Sequence, residues 1–124
     1  MRLVIIESPW RALTEEERKR NRDYALIALR DSLDRGEAPQ ASHLLHTQVL
    51  NDRLQPERDL GIEAGLEWAN VAECMVLYVD RGLSPGMKSA RDFAKAVGLP
   101  VEQRSLSLVE QDRLRKAIAA SVGF

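Results

Sequence analysis

The chain holds one cysteine, two histidines and few aromatic residues. With Cys74 alone no internal disulfide can form, and a reducing cytoplasm is the expected location. A zinc site on Cys74 lacks a second thiol at usable spacing. Cys74 therefore reads as a buried strand residue, and neither a metal nor a cofactor is expected. No sign of charge dominates: 18 basic and 19 acidic side chains leave a formal charge of -1. That balance points away from nucleic-acid phosphates and from a membrane surface. The longest apolar run, Cys74–Val79, falls far short of the ~20 residues that span a bilayer. The opening MRLVIIESPW has too short an apolar stretch for a secretory signal and reads as a first strand. A P-loop, a nucleophile elbow and a dinucleotide GxGxxG are all missing.

What is present is ordinary globular material. Apolar residues make up 44% of 124 residues, which suits one soluble domain over residues 1–124. Leu3–Ile6 is a continuous β-branched run of the kind found in central parallel strands, and Ser8–Pro9 ends it. Thr14 with Glu17 forms a capping box. The helix it opens carries Tyr24, Leu26, Ile27, Leu29 and Leu33 and stops at Gly36. APQASHLLHT (Ala38–Thr47) suggests a short strand or extended segment. In PERDLGIEAGLEWANVA, Leu60, Ile62, Ala64, Leu66 and Trp68 alternate as in a strand. Pro56 at a helix start, neighbouring acids, and Gly61 and Gly65 stacked for close packing favour a helix instead. Cys74–Val79 is a second buried strand. Ser84 or Pro85 opens a helix with inner face Met87, Ala90, Ala94 and Val97, ending at Gly98. LPVEQRSL gives the next strand. Ser107 with Glu110 caps a last helix with inner face Leu114, Ala117, Ile118, Ser121 and Val122. Alternating strands and helices with right-handed crossovers predict an α/β fold: a parallel sheet of four to five strands between two helical layers.

Ligands of such sheets bind beyond the carboxyl ends of the strands. That rule gathers Glu7–Trp10, Ser42–Thr47 and Asp80–Ser89, with Glu63 and Glu67 within reach. In the third segment Gly82, Ser84, Gly86, Met87 and Lys88 surround a helix start, where backbone amides can hold an anion. The same residues also make a plain serine-capped turn. Trp10 can stack on a base or cover the sheet edge. His43 and His46, placed on a strand end, would face opposite sides, which disfavours a two-histidine metal site. Asp80 can accept from ribose hydroxyls or cap its own turn. Glu63 and Glu67 form either a catalytic pair or a solvated helix face.

Three blocks together resemble the nucleoside 2-deoxyribosyltransferase-like superfamily. They are GEAPQASHLLHTQVLND (Gly36–Asp52), PERDLGIEAGLEW (Pro56–Trp68) and VLYVDRGLSPGMKSARDFAKAVGLPVEQR (Val76–Arg104). The likeness is greatest to small phage and bacterial members that lack the nucleophilic glutamate. It implies a flavodoxin- or Rossmann-like sheet, a homo-oligomer, and a pocket for a nucleoside, nucleotide or ribosyl compound. It also implies that the transferases' nucleophile, a glutamate on the helix after the glycine turn, falls on Ala90. Alanine cannot form a glycosyl-enzyme intermediate.

The leading expectation is a binder, without catalysis, of a nucleotide- or ribosyl-type small molecule. Ser8, Trp10, His43, His46, Asp80, Arg81, Gly82, Ser84, Gly86, Met87 and Lys88 would hold it. In a phage setting, sequestering a nucleotide signal of host defence, in the host cytoplasm, would be its purpose. The alternative is an N-glycosidase or deoxyribosyltransferase with a relocated carboxylate, Glu7 or Glu63. A third reading is an interaction module with a vestigial pocket.

Overall fold

In the computed structural model, which describes residues 1–123, the chain forms one four-stranded parallel sheet. Its strands are β1 (Leu3–Glu7), β2 (Ala38–Gln40), β3 (Cys74–Tyr78) and β4 (Val101–Arg104). Their spatial order is β2-β1-β3-β4, with Val4 opposite Cys74 and Tyr78 opposite Arg104. The fold is thus α/β with three layers, of the flavodoxin- or Rossmann-like kind.

Five helices connect and cover the strands: α1 (Glu15–Asp34), α2 (Ser42–Leu45), α3 (Gln55–Glu67), α4 (Pro85–Ala96) and α5 (Leu108–Val122). The hydroxyls of Thr14, Ser84 and Ser107 accept from the amides of Glu17, Met87 and Glu110, so all three expected caps form. One sheet face, Val4, Ile6, Cys74, Val76 and Tyr78, packs on Tyr24 and Ala28 of α1. α5 packs beside α1 through Ile27, Leu114 and Ile118. The other face, Ile5, Met75 and Leu77, is covered by Met87, Ala90 and Ala94 of α4. No helix among the described residues is long and apolar enough to cross a membrane.

A buried charge cluster closes the α1 side of the sheet. Arg104 donates to Glu37 at 2.9 Å and to the Tyr78 hydroxyl at 3.0 Å, and that hydroxyl donates to Asp31 at 2.8 Å. Arg104, supported by Arg2 and Ser32, holds the Glu37 carboxyl down at about 2.

Two expectations are corrected here. Ser42–Thr47 is not extended: β2 stops at Gln40, and α2 runs on into a 3-10 turn at His46–Gln48. Leu44 packs against the Tyr24 cluster, and that tertiary contact outweighs the extended bias around Pro39. Val97 and Val122 were expected inside but are 54% and 75% exposed: Val97 caps the end of α4 just past buried Ala94, and Val122 is the last residue of α5, beyond its last buried residue Ile118. Ser121 is exposed with them.

Candidate functional site

A cavity of about 680 Å³ opens at the carboxyl end of β1, between α3 and α4. This is where the sheet order reverses, β1 lying between β2 and β3, and where open parallel sheets hold ligands.

Glu7 forms its floor. Side chains alternate along a strand, so Glu7 shares the face of Ile5, which belongs to the apolar cluster with Met75, Met87 and Ala90. Its carboxyl group has no hydrogen bond or ion pair among the described residues. Burial pushes its pKa up to about 7. At neutral pH it is therefore poised between acid and carboxylate.

Ser8, the first residue past β1, also lines the cavity, and its hydroxyl lies 2.9 Å from His43 Nε2. His43 Nδ1 is buried with no partner. A buried acceptor without a partner is tolerated better than a buried donor without one. That favours the tautomer with the proton on Nε2, so His43 donates to Ser8 and the Ser8 hydroxyl keeps its own proton for another acceptor. Burial pushes the His43 pKa down to about 4, and no carboxylate stands behind the ring. The pair therefore lacks the oriented base that activates a serine nucleophile. Trp10 meets His43 edge-on at 5.4 Å between centroids. Its loop is pinned by Asn21, whose amide donates to the Trp10 carbonyl at 3.0 Å.

The far wall is the start of α4: Ser84, Pro85, Gly86, Met87, Ser89 and Ala90. Pro85 has no N–H, the Met87 amide donates to the Ser84 hydroxyl and the Lys88 amide to the Ser84 carbonyl. Among the described residues the amides of Ser84 and Gly86 have no partner there, and the Ser89 hydroxyl lines the same wall. The near wall is α2 on α3. His46 Nδ1 donates to the Gly61 carbonyl at 3.3 Å. A Cβ at Gly65 would lie 2.8 Å from Ser42 Cβ and would also meet its Oγ, so glycine lets the two helices come this close. His43 and His46, three residues apart on helical backbone, both face the cavity, contrary to the placement expected on a strand.

Glu7, Ser8, Trp10, His43, His46, Ser84, Gly86, Met87 and Ala90 are thus brought together. Asp80, Arg81, Gly82, Lys88, Glu63 and Glu67 are not. The Asp80 carboxylate accepts from the Tyr24 hydroxyl at 2.7 Å and from the Leu106 amide at 2.9 Å, tying three elements together. Gly82, at φ +82°, donates to the Val79 carbonyl and makes a plain turn with exposed Arg81. Lys88, Glu63 and Glu67 are exposed away from the cavity, and Glu67 accepts from Asn70. Ser42 and Ser89, both within the segments gathered from the sequence, also line it, and sequence reading missed Arg11 and Arg58. Arg11 lies one residue past the Glu7–Trp10 segment; Arg58 carried no sequence signal beyond its place in the first turn of α3.

The fold and cavity define a small parallel α/β protein with one ligand-sized crevice at its topological switch point. Residues 2–104 match the model of a family described as a domain of unknown function (DUF7768), and the chain belongs to that family. The match ends with β4, so α5 lies beyond it. No curated protein and no solved structure matches the chain.

Proposed function

We propose that the protein binds a nucleotide- or ribosyl-type small molecule in this cavity and retains it without turning it over. The observation that carries the reading is the composition of the walls at the switch point. Glu7 supplies an acceptor for sugar hydroxyls, Trp10 and His46 supply ring faces for a base, and Gly86 N–H and Ser89 supply donors for a phosphate oxygen. The α4 wall presents Ala90, which has no nucleophile to offer. The proposal includes sequestration of a nucleotide signal in the cytoplasm, and self-association through half-exposed Leu60 and Trp68.

One observation favours a second reading. An unpaired carboxyl with its pKa near 7 inside a ligand-sized cavity is suited to general-acid work, as an N-glycosidase requires.

Purified protein incubated with nucleosides, nucleoside monophosphates, ADP-ribose and cyclic ADP-ribose isomers, then desalted, separates the two by mass spectrometry. A retained, unchanged ligand supports sequestration. Free base that disappears in Glu7→Gln moves the assignment to the enzyme. Retention of nothing and release of nothing refute both.

A further inference from the structure

Beside the cavity runs a trough of about 1160 Å³ between the first half of α1 and the β2–α2 segment. Trp10, Arg11, Thr47, Leu50 and Asp52 line both spaces, so the trough and the cavity adjoin along the Trp10–Arg11 ridge.

Its charge is one-sided. Arg11, Arg18, Lys19, Arg22 and Arg53 face Glu15 and Asp52, five basic residues against two acidic, in a chain of overall charge -1. Glu15 is shared by Arg18 at 2.8 Å and Arg53 at 3.9 Å. Arg11, Lys19 and Arg22 have no carboxylate partner among the described residues. Part of the placement is unfavourable in itself. Arg18 and Lys19 directly follow the acidic first turn of α1, Glu15 to Glu17, whose carboxylates already complement the helix dipole. Arg22 follows them at i+4 and i+3, where like charges repel. An anion lying in the trough would relieve all three.

We infer that the trough is a second anion subsite, and that the ligand of the cavity is a nucleotide with a further phosphate that rests on Arg11, Arg18, Lys19 and Arg22. The inference rests on the nucleotide reading of the cavity. Arg11 lines both spaces, so its forked donors are available to an anion on either side. The cations are solvated, so each contributes at the low end of ion-pair energies. Three of them together give roughly a tenfold gain in affinity.

The test is calorimetric titration with matched mono- and diphosphates of the four bases, on the wild type and on Lys19→Glu/Arg22→Glu. A milder Lys19→Gln/Arg22→Gln variant guards against misfolding, and circular dichroism checks both. The diphosphate is expected to bind about tenfold more tightly than its monophosphate, a ratio that shrinks with added salt and collapses towards one in both variants. Equal affinities in the wild type overturn the subsite and leave the cavity reading standing. Failure of every nucleotide to bind overturns both. A single-stranded oligonucleotide that binds more tightly than any diphosphate, and loses that affinity in the variants, replaces the subsite with a strand-binding groove.

Discussion

Replacing Glu7 with glutamine should stabilise the protein, and only above a definite pH. In the unfolded chain the carboxyl titrates near 4.5; in the cavity it titrates near 7. Below about pH 4.5 both states hold the proton, and an amide differs little from a protonated acid. As pH rises from there, the folded state keeps a proton that the unfolded chain releases. Stability therefore falls, and the loss is complete above about pH 7. Each pH unit between the two values is worth ~1.36 kcal/mol, which caps the loss at about 3 kcal/mol. Glu7 is half-buried rather than sealed, so about 2 kcal/mol is the working figure. His43 acts in the opposite sense. Its ring is pushed from 6.5 down to about 4, so the unfolded chain binds the extra proton and stability rises with pH between those values. In the wild type the two limbs offset between about pH 4.5 and 6.5, and decline appears only towards pH 7. In Glu7→Gln the His43 limb stands alone. Urea unfolding followed by tryptophan fluorescence at pH 4.5, 6 and 8 reads both curves. The variant should match the wild type at pH 4.5 and exceed it by about 2 kcal/mol at pH 8. Equal stabilities at pH 8 would falsify the claim that Glu7 is desolvated without a partner.

Four other outcomes are expected. Gly65→Ala should cost about 1–2 kcal/mol, overpacking against Ser42 outweighing the helix-propensity gain, and Ser42→Gly in the same chain should recover most of it; a stabilising Gly65→Ala in urea melts refutes the contact. Glu37→Gln should cost about 3 kcal/mol, since Arg104 and Glu37 are only 10% and 9% exposed and the guanidinium would lose its counter-charge. Arg18→Gln, which breaks an exposed pair, should cost well under 1 kcal/mol in the same assay. Tyr24→Phe should cost about 1–3 kcal/mol by removing the hydroxyl that donates to Asp80 and accepts its amide; a drop in denaturation midpoint below the equivalent of 0.5 kcal/mol would show that Asp80 finds water instead.

Elements that announce themselves locally were legible in the sequence. Leu3–Ile6 and Cys74–Tyr78 needed only their apolar continuity, and Thr14, Ser84 and Ser107 needed only the spacing to the amide they cap. The helix at Gln55–Glu67 was reached through Pro56 and the Gly61–Gly65 pair rather than through periodicity, and Gly65 is its one fully buried residue. Ser42–Gln48 was missed because a single turn of helix leaves no period to read, and Ala41 offers no cap. Asp80 was misread because its partners, Tyr24 and Leu106, lie on distant segments. The trough was invisible for the same reason: Arg18 and Arg22 look like a solvated face until the β2–α2 segment supplies the facing wall.

The two walls of the cavity are not equally fixed. The α4 wall is continuous with the sheet core through Met87, Ala90 and Ala94, and the turn leading to it is riveted by Asp80 to α1 and to the segment before α5. The α3 wall rests chiefly on the one-turn α2, with half-exposed Leu60 and Ile62 along its length. Amide exchange should therefore be fast in α3 and slow at the start of α4, and binding should slow the first far more than the second. On the nucleotide reading proposed above, a crevice with one anvil and one yielding jaw would hold the sugar-phosphate end of its ligand to a strict template while accommodating different bases at the other.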